Sequence, residues 1–285
     1  MRFPTTRAVC ELARAGNALV TALAVWVGGT VGAETFAVQA ALLGGLAAAL
    51  VAAWGNAVND ICDRALDLLY KPHRPLPSGR LTPKAARAWA ALFAACGLGL
   101  SYSLGRGPFA IALVTVFLLW AYSFRLKGWW FAGNLLVSLT AGLAFLFGSA
   151  VQGATFGSVL PQGWVAFAFA FLWHLAREWV KAAEDVESDR TAGLHTVAVV
   201  WGPRAAARAA AITLAVLLLL LLPPFFQGYF NLIYLLLVLF GVVPVLVGTI
   251  GQLWPGPDSV RLGRLARLLK WDMLVGICAI WFGLR

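Results

Sequence analysis

The chain has 285 residues, of which 61% are hydrophobic and 12% are charged, and its mean hydropathy is +0.82. Soluble domains carry about twice this charged fraction, so the composition excludes a chain that folds around one core in water. The net charge of +10 could indicate nucleic-acid binding. However, the basic residues lie in short segments between apolar runs, which is the pattern that orients membrane proteins. We therefore expect an all-α, polytopic membrane protein whose partner is the lipid bilayer, with no nucleic acid.

Apolar runs broken by Pro, Gly and charge predict nine transmembrane helices, each near the roughly 20 residues that cross the hydrocarbon layer. Pro244 predicts a kink in the eighth. The first apolar stretch resembles a signal peptide, but the many spans that follow favour a first helix that is retained. Residues 1–285 are expected to form one transmembrane domain. The predicted spans are 12–33, 36–57, 84–104, 108–124, 130–151, 162–180, 205–223, 229–250 and 266–284.

The distribution of basic residues supports this count. If the nine spans alternate sides from a cytoplasmic N-terminus, 20 of the 22 Lys and Arg residues lie on the cytoplasmic side, and Arg106 and Arg285 lie outside it. Such an asymmetry sets the orientation of a protein in its membrane. We expect a multi-pass protein of the cell (inner) membrane whose N-terminus and acidic loops face the cytoplasm.

The first of two acidic clusters lies at the end of the second span. Spacings of three and four residues predict that Asn56, Asp60, Asp63 and Asp67 share one helical face, with Asn59 beside Asp63. Like charges at this spacing repel each other, and each carboxylate near the bilayer costs about 2–3 kcal/mol. A divalent cation removes both penalties. Hard oxygen ligands suit Mg²⁺, which shares its coordination shell with substrate phosphates.

The second acidic cluster lies at the end of the sixth span, where Lys181, Asp185 and Asp189 follow one another at i, i+4 spacing. Together the two clusters contain eight of the twelve Asp and Glu residues. Both combine an apolar helix that ends in aspartates with a basic loop on the same predicted side of the membrane. This combination is what ionisation of an allylic diphosphate requires, because Mg²⁺ neutralises the leaving group and Lys and Arg bind the remaining charge.

Two other classes of function are compatible with parts of this pattern. A cation-coupled transporter could use intramembrane acids as an ion pathway, although it would favour acids at mid-span rather than at helix ends. A non-catalytic membrane scaffold gives no reason to keep Asp185 and Asp189 beside Lys181. The prenyl-transfer interpretation accounts for both clusters.

Four sequence motifs resemble those of a known enzyme family. They are Asn59-Asp60-x-x-Asp63-x-x-x-Asp67 with Lys71-Pro-His-Arg74, Arg177-Glu178-x-x-Lys181-x-x-x-Asp185-x-Glu187-x-Asp189, Tyr122-Ser-Phe-Arg-Leu-Lys127, and Arg14-Ala-Gly-Asn17. In order and spacing they resemble the motifs of the UbiA-type intramembrane prenyltransferases. The resemblance implies nine helices around a central cavity, a Mg²⁺ cofactor, and a polyprenyl diphosphate that reacts with a lipid-soluble acceptor.

The resemblance also implies a role for each motif residue. The implied catalytic aspartates are Asp63, Asp67, Asp185 and Asp189. The implied metal ligands are Asn59, Asp60, Asp63, Asp67, Asp185 and Asp189. The implied diphosphate-binding residues are Lys71, Arg74, Lys127 and Lys181, and the implied substrate-binding residues are Arg14, Asn17 and Tyr122. Alternatives are lipid-headgroup anchoring for Lys71 and Arg74, helix-end packing for Arg14 and Asn17, and an interfacial position for Tyr122.

Within this superfamily, the short length and the stretches Pro75 to Arg80 and Glu184 to Glu187 look most like the geranylgeranylglycerol-phosphate geranylgeranyltransferases of ether-lipid synthesis. Enzymes that prenylate 4-hydroxybenzoate, homogentisate or chlorophyllide share much of this sequence pattern and are the alternative. Three residues depart from the usual pattern: Ala182 replaces an Asp, Ser188 a Gly and Ala198 a Pro. The sequence leaves the chain length of the prenyl group, the general base and the oligomeric state open.

Overall fold

The computed structural model describes residues 6–284, which fold almost entirely into α-helices, as predicted. Long helices lie at all nine predicted spans, the eighth being formed by two helices in succession. They are α2 (Ala15–Gly32), α3 (Val38–Cys62), α5 (Pro83–Ser103), α6 (Arg106–Ala121), α7 (Ala132–Val151), α8 (Pro161–Glu184), α11 (Pro203–Leu221), α13 (Leu232–Leu237) with α14 (Val243–Leu253), and α15 (Ser259–Phe282). The short helices are α1 (Thr6–Ala13), α4 (Arg64–Tyr70), α9 (Val186–Thr191), α10 (Val197–Trp201) and α12 (Pro223–Phe226).

Six helical segments in residues 6–284 are long and apolar enough to cross a membrane. The protein is therefore a multi-pass membrane protein. The other three long helices, α5, α8 and α15, stay predicted crossings. Arg2 and Arg285, which enter the charge count, lie outside the described residues. The six segments are Ala15–Gly32, Val38–Cys62, Arg106–Leu126, Ala132–Val151, Pro203–Phe226 and Leu232–Leu253.

The predicted first span, 12–33, is divided at Arg14. This residue adopts a left-handed conformation with φ 50° and ψ 58°, which a non-glycine residue rarely takes. Helix α1 therefore ends at Ala13, and α2 begins at Ala15 as a separate helix. The Arg14 side chain is held by Asp60 of α3, and this contact compensates for the unusual backbone conformation.

Polar side chains fix the starts of several long helices. Thr82 precedes α5 and accepts a hydrogen bond from the backbone N–H of Ala85, and a proline occupies the first helical position. Asp258 precedes α15 and accepts from the backbone N–H of Arg261 over 2.8 Å. Asn231 accepts from the backbone N–H of Ile233 at the start of α13. These caps satisfy backbone donors that a helix start leaves without partners.

The eighth predicted span contains a π-helical turn, Val238–Val242, between α13 and α14. Pro244 follows this turn within the first two residues of α14. Proline has no N–H to donate to the preceding helical turn, and the wider π turn accommodates that loss. The irregularity predicted at Pro244 is therefore present as a π turn on its N-terminal side.

Small residues allow the helices around the centre to approach closely. On α2, a side chain at Gly28 would meet the backbone of Phe145 on α7, and one at Gly148 of α7 would meet the backbone of Val25. In membranes, helices associate through such close packing because lipid provides no hydrophobic drive between them. Large apolar side chains instead face outward, and Leu219 and Phe240 are 76% and 78% exposed.

Candidate functional site

A cavity of about 590 Å³ lies between α2, α3, α7, α8 and α15. Its lining changes character along each helix. On α3, Asn59 and Asp63 line it near the C-terminal end and Val51 lines it deeper. On α8, Asp185 lines it at the end and Phe169 deeper. The cavity therefore has one polar end and one apolar end, and its volume falls within the roughly 300–1,000 Å³ of small-molecule sites.

Asp63 lies at the junction of α3 and α4 and pairs with two side chains from different parts of the chain. Asn59 Nδ2 donates to Asp63 Oδ2 over 2.9 Å, and the Lys127 ammonium donates to the same oxygen. Lys127 follows a π-helical turn, Tyr122–Leu126, that directly continues α6. This turn positions a cation against the Asp63 carboxylate at the cavity wall.

Asp60 and Asp67 are oriented differently from Asp63. Arg74 Nη1 donates to Asp60 Oδ1 over 3.2 Å and to Asp67 Oδ2 over 2.7 Å. Arg14 Nη2 donates to Asp60 Oδ1 over 2.7 Å. Both carboxylates are buried, and neither lines the cavity. Helical spacing predicts that Asn56, Asp60, Asp63 and Asp67 share one face, and in the structure two arginines hold Asp60 and Asp67 in an ion-pair cluster apart from Asp63.

The same contacts bear on the alternatives for Arg74 and Arg14. The Arg74 side chain is 22% exposed and engages two buried carboxylates, which does not leave it free for lipid headgroups. Arg14 bonds Asp60 and also lines the cavity. Arg14 therefore combines helix packing with a position at the polar end.

The second acidic cluster places Glu178 and Asp185 on the cavity wall. Glu178 is buried, and its Oε1 accepts hydrogen bonds from Arg177 Nη1 over 3.2 Å and Lys181 Nζ over 3.4 Å. Asp185 ends α8, where its backbone N–H donates to the Lys181 carbonyl over 2.8 Å. The cluster continues the polar end of the cavity from α3 to α8.

Asp189 lies on α9, beyond the cavity lining. Its Oδ2 accepts a hydrogen bond from Thr196 Oγ1 over 3.2 Å. Burial, together with the neighbouring Asp185 carboxylate, raises the pKa of Asp189 to about 6, and the Thr196 hydrogen bond opposes this rise. A nearby cation would favour the ionised form of such a carboxyl group and lower its pKa.

Two contacts hold the loops that follow the acidic helices together. The strands β1 (Trp129–Trp130) and β2 (His195–Thr196) pair in parallel, with Trp129 opposite His195. Tyr70 Oη and Thr191 Oγ1 lie 2.7 Å apart and join α4 to α9. These contacts hold together segments that are far apart in the sequence. The hydropathy pattern does not predict them.

The structure separates the sequence-predicted site residues into two sets. Those that line the cavity are Arg14, Asn17, Asn59, Asp63, Lys71, Arg74, Tyr122, Lys127, Lys181 and Asp185. Those that lie outside its lining are Asp60, Asp67 and Asp189.

The polar end fits a magnesium ion that shares its ligands with a phosphate. Asn59 Oδ1 is buried and has no hydrogen-bond partner within the described residues, although the Nδ2 of the same side chain bonds Asp63. An amide oxygen and a carboxylate are hard ligands of the kind Mg²⁺ takes. Residues 6–284 contain no group of three or more His, Cys, Asp or Glu arranged to hold a metal alone. A phosphate and water would have to complete the coordination, as is usual for Mg²⁺.

Four acidic or basic residues that line the cavity had no role predicted from the sequence: His174, Arg177, Glu178 and Lys270. Spacing along α8 could have indicated the first three, since Arg177 and Glu178 follow His174 by three and four residues and precede Lys181 by four and three. No comparable signal marked Lys270, which lies on α15. In the structure Lys270 Nζ donates to Asn17 Oδ1 over 3.1 Å.

Comparison with known proteins identifies relatives along almost the entire chain. A model of the UbiA prenyltransferase family matches residues 18–261. A digeranylgeranylglyceryl phosphate synthase of Methanopyrus kandleri is 37% identical over 273 residues, which cover 96% of this chain and 97% of that protein. A synthase of the same name from Sulfolobus acidocaldarius is 34% identical, covering 82% of this chain and 84% of the relative.

Solved structures share the fold. The structure of a digeranylgeranylglyceryl phosphate synthase is 24% identical, with a TM-score of 0.75 and coverage of 97% of both chains. A UbiA homologue from Archaeoglobus fulgidus bound to GPP and Mg²⁺ is 22% identical, with a TM-score of 0.70, covering 96% of this chain and 99% of that one.

Proposed function

Because the chain belongs to the UbiA prenyltransferase family, we propose that it transfers a geranylgeranyl group from its diphosphate to the free hydroxyl of geranylgeranylglyceryl phosphate. The chain is a membrane prenyltransferase, and the proposed product is an ether lipid. The digeranylgeranylglyceryl phosphate synthases that match nearly its full length support this choice of acceptor over the aromatic and tetrapyrrole acceptors.

The two-ended cavity is the structural observation that carries the proposal. A prenyl diphosphate has a charged head and a long apolar tail. The polar end presents Asn59, Asp63, Lys127 and Asp185, whereas the deeper wall presents residues such as Phe169. A donor therefore fits with its diphosphate at the helix ends and its tail among the apolar side chains. A transporter path would instead need polar groups along the whole length of the membrane.

Within the polar end, the carboxylates and the lysines have different proposed roles. Asn59, Asp63 and Asp185 would hold Mg²⁺, which when bound neutralises the charge of the diphosphate leaving group. Lys127 and Lys181 would bind diphosphate oxygens, since both ammonium groups line the cavity. Asp67 and Asp189 lie just outside this lining, and their proposed part in metal binding requires waters or a shift of the α4 and α9 segments.

The apolar walls contribute by excluding water. An allylic cation reacts with any nearby nucleophile, so a dry chamber directs it to the acceptor. Arg14 and Asn17 line the polar end on α2 and are proposed to bind substrate, with Tyr122 at the end of α6. Cations and amides in these positions suit the phosphate of the proposed acceptor.

The proposed function requires a defined orientation in the membrane. We propose that all nine long helices cross the bilayer as one domain covering residues 1–285, with the N-terminus and the acidic loops on the cytoplasmic side of the cell membrane. The excess of Lys and Arg on that side supports this orientation.

An assay of purified protein in liposomes tests the proposal. The protein is supplied with Mg²⁺, labelled geranylgeranyl diphosphate and, separately, geranylgeranylglyceryl phosphate, 4-hydroxybenzoate, homogentisate or chlorophyllide. Transfer to the glyceryl phosphate alone, absent in Asp63→Ala, is the expected result. Transfer only to an aromatic or tetrapyrrole acceptor would contradict the ether-lipid assignment and keep the prenyl-transfer chemistry.

A further inference from the structure

We propose that Glu178 accepts the proton that the acceptor hydroxyl loses when the ether bond forms. The proposal rests on the proposed function and gives a role to a carboxylate that is not among the proposed metal ligands. An alcohol that attacks an allylic cation becomes an oxonium ion until its proton leaves. A carboxylate placed in the dry cavity removes this proton where water cannot.

Glu178 occupies a suitable place on the cavity wall. Within residues 6–284, the carboxylates that line the cavity are Asp63, Glu178 and Asp185. Asp63 and Asp185 belong to the proposed metal-binding set, where a carboxylate that takes a proton would lose its metal. Glu178 lies in α8 and is 8% exposed. It is therefore the cavity carboxylate left for proton transfer.

The hydrogen bonds of Glu178 leave one of its oxygens free. Arg177 and Lys181 both donate to Oε1, at 3.2 Å and 3.4 Å. Oε2 makes no hydrogen bond to the described residues, and these residues do not enclose it fully. The two cations favour the ionised carboxylate, while Oε2 keeps its lone pairs for a hydroxyl group in the cavity.

The position of Glu178 along α8 places it between the diphosphate and the apolar chamber. Asp185 follows it by seven residues, which is about 10 Å along the helix axis at 1.5 Å per residue. Lys181 lies between them and contacts Glu178 directly. A diphosphate oxygen bound by Lys181 would therefore lie beside Glu178, together with the carbon to which the diphosphate is esterified.

Ether formation in the proposed step breaks one carbon–oxygen bond and forms another. The bond between the allylic carbon and the diphosphate oxygen breaks, and its electron pair leaves with the diphosphate. A lone pair of the acceptor hydroxyl oxygen forms the new carbon–oxygen bond. The O–H electron pair stays on the ether oxygen, and the proton moves to Glu178 Oε2. Glu178 later returns the proton to water or to the departing diphosphate.

Positional isotope exchange separates this role from donor binding. Geranylgeranyl diphosphate carrying ¹⁸O in the bond to carbon scrambles that label among the phosphate oxygens whenever the bond breaks and re-forms. The variants are Glu178→Gln and Glu178→Asp. Glu34→Gln is the control, because Glu34 is exposed, lies outside the cavity lining and forms no ion pair with the described residues. Each variant is assayed in liposomes for ether formation with geranylgeranylglyceryl phosphate and for exchange without it.

We expect Glu178→Gln to lose about 10²–10⁴-fold in ether formation, the range of general-base catalysis, while label exchange and the donor KM stay near the wild-type values. Glu178→Asp should recover part of the loss. Unchanged ether formation in Glu178→Gln would overturn the proposal. So would an equal loss of exchange and transfer, because Glu178 would then act only by holding Lys181. Wild-type protein that neither transfers nor exchanges the label would instead overturn the proposed function itself.

Discussion

Lys127 and Asp63 form an ion pair that joins the segment after α6 to the junction of α3 and α4, 64 residues earlier in the chain. Because the same lysine and aspartate line the cavity, the pair positions a cation and a carboxylate at its polar end. In the proposed function, Lys127 would bind diphosphate oxygens and Asp63 would help to hold Mg²⁺, so substrate binding would replace this mutual contact.

Replacing Lys127 with methionine should weaken donor binding. The change removes a charge-assisted contact worth about 1.5–3 kcal/mol, so the KM for geranylgeranyl diphosphate should rise by roughly 10–100-fold. Steady-state kinetics at saturating acceptor measure this change. Lys84→Met is the control, because Lys84 is exposed on α5, outside the cavity lining. An unchanged donor KM in Lys127→Met would show that this lysine does not bind the diphosphate.

Replacing Arg74 with alanine should destabilise the protein as well as reduce its activity. Arg74 engages Asp60 and Asp67, whose side chains are each 5% exposed. Breaking buried ion pairs by removing one partner typically costs about 3–5 kcal/mol. We expect a lower midpoint of thermal unfolding in detergent. The double variant Arg74→Ala/Asp67→Asn should recover part of the loss, since it removes one unpaired carboxylate. A thermal midpoint equal to that of the wild type would indicate that Arg74 has no structural role.

The packing of α2 on α7 should be sensitive to one added methyl group. Gly28→Ala places a Cβ against the backbone of Phe145, and such overpacking costs about 1–3 kcal/mol. Gly248→Ala is the matched control, because a Cβ at Gly248 meets no atom within 4 Å. Thermal unfolding of the two variants should show a loss for Gly28→Ala and none for Gly248→Ala. Equal midpoints would mean that the two helices separate more easily than their contact suggests.

Much of the fold follows from local sequence, and the site follows only in part. Long apolar runs and capping residues such as Thr82 and Asp258 locate the helices because their signals are local. The left-handed Arg14 could not be predicted this way, since it depends on a contact with Asp60 of another helix.

The orientation of the aspartates also depends on distant partners. Helical spacing placed Asp60, Asp63 and Asp67 together, but Arg14 and Arg74 hold Asp60 in a separate cluster, and Lys127 holds Asp63 at the cavity. Likewise, the pairing of Trp129 with His195, which holds two loops together, involves no local pattern that a sequence displays. Glu178 belongs to a sequence motif, but the sequence does not show that Arg177 and Lys181 both donate to Oε1 and leave Oε2 without a hydrogen bond.

We propose that the two acidic clusters act as one site for prenyl transfer to geranylgeranylglyceryl phosphate. The most direct test measures the rate of digeranylgeranylglyceryl phosphate formation, with Mg²⁺, by wild-type protein, Asp63→Asn, Asp185→Asn and the double variant in liposomes. Each single variant should lose about 10²–10³-fold, comparable to removal of one group that stabilises a developing charge. The double variant should lose little more, because residues that act as a unit are not additive. Full activity in either single variant, or losses that multiply in the double variant, would contradict the claim.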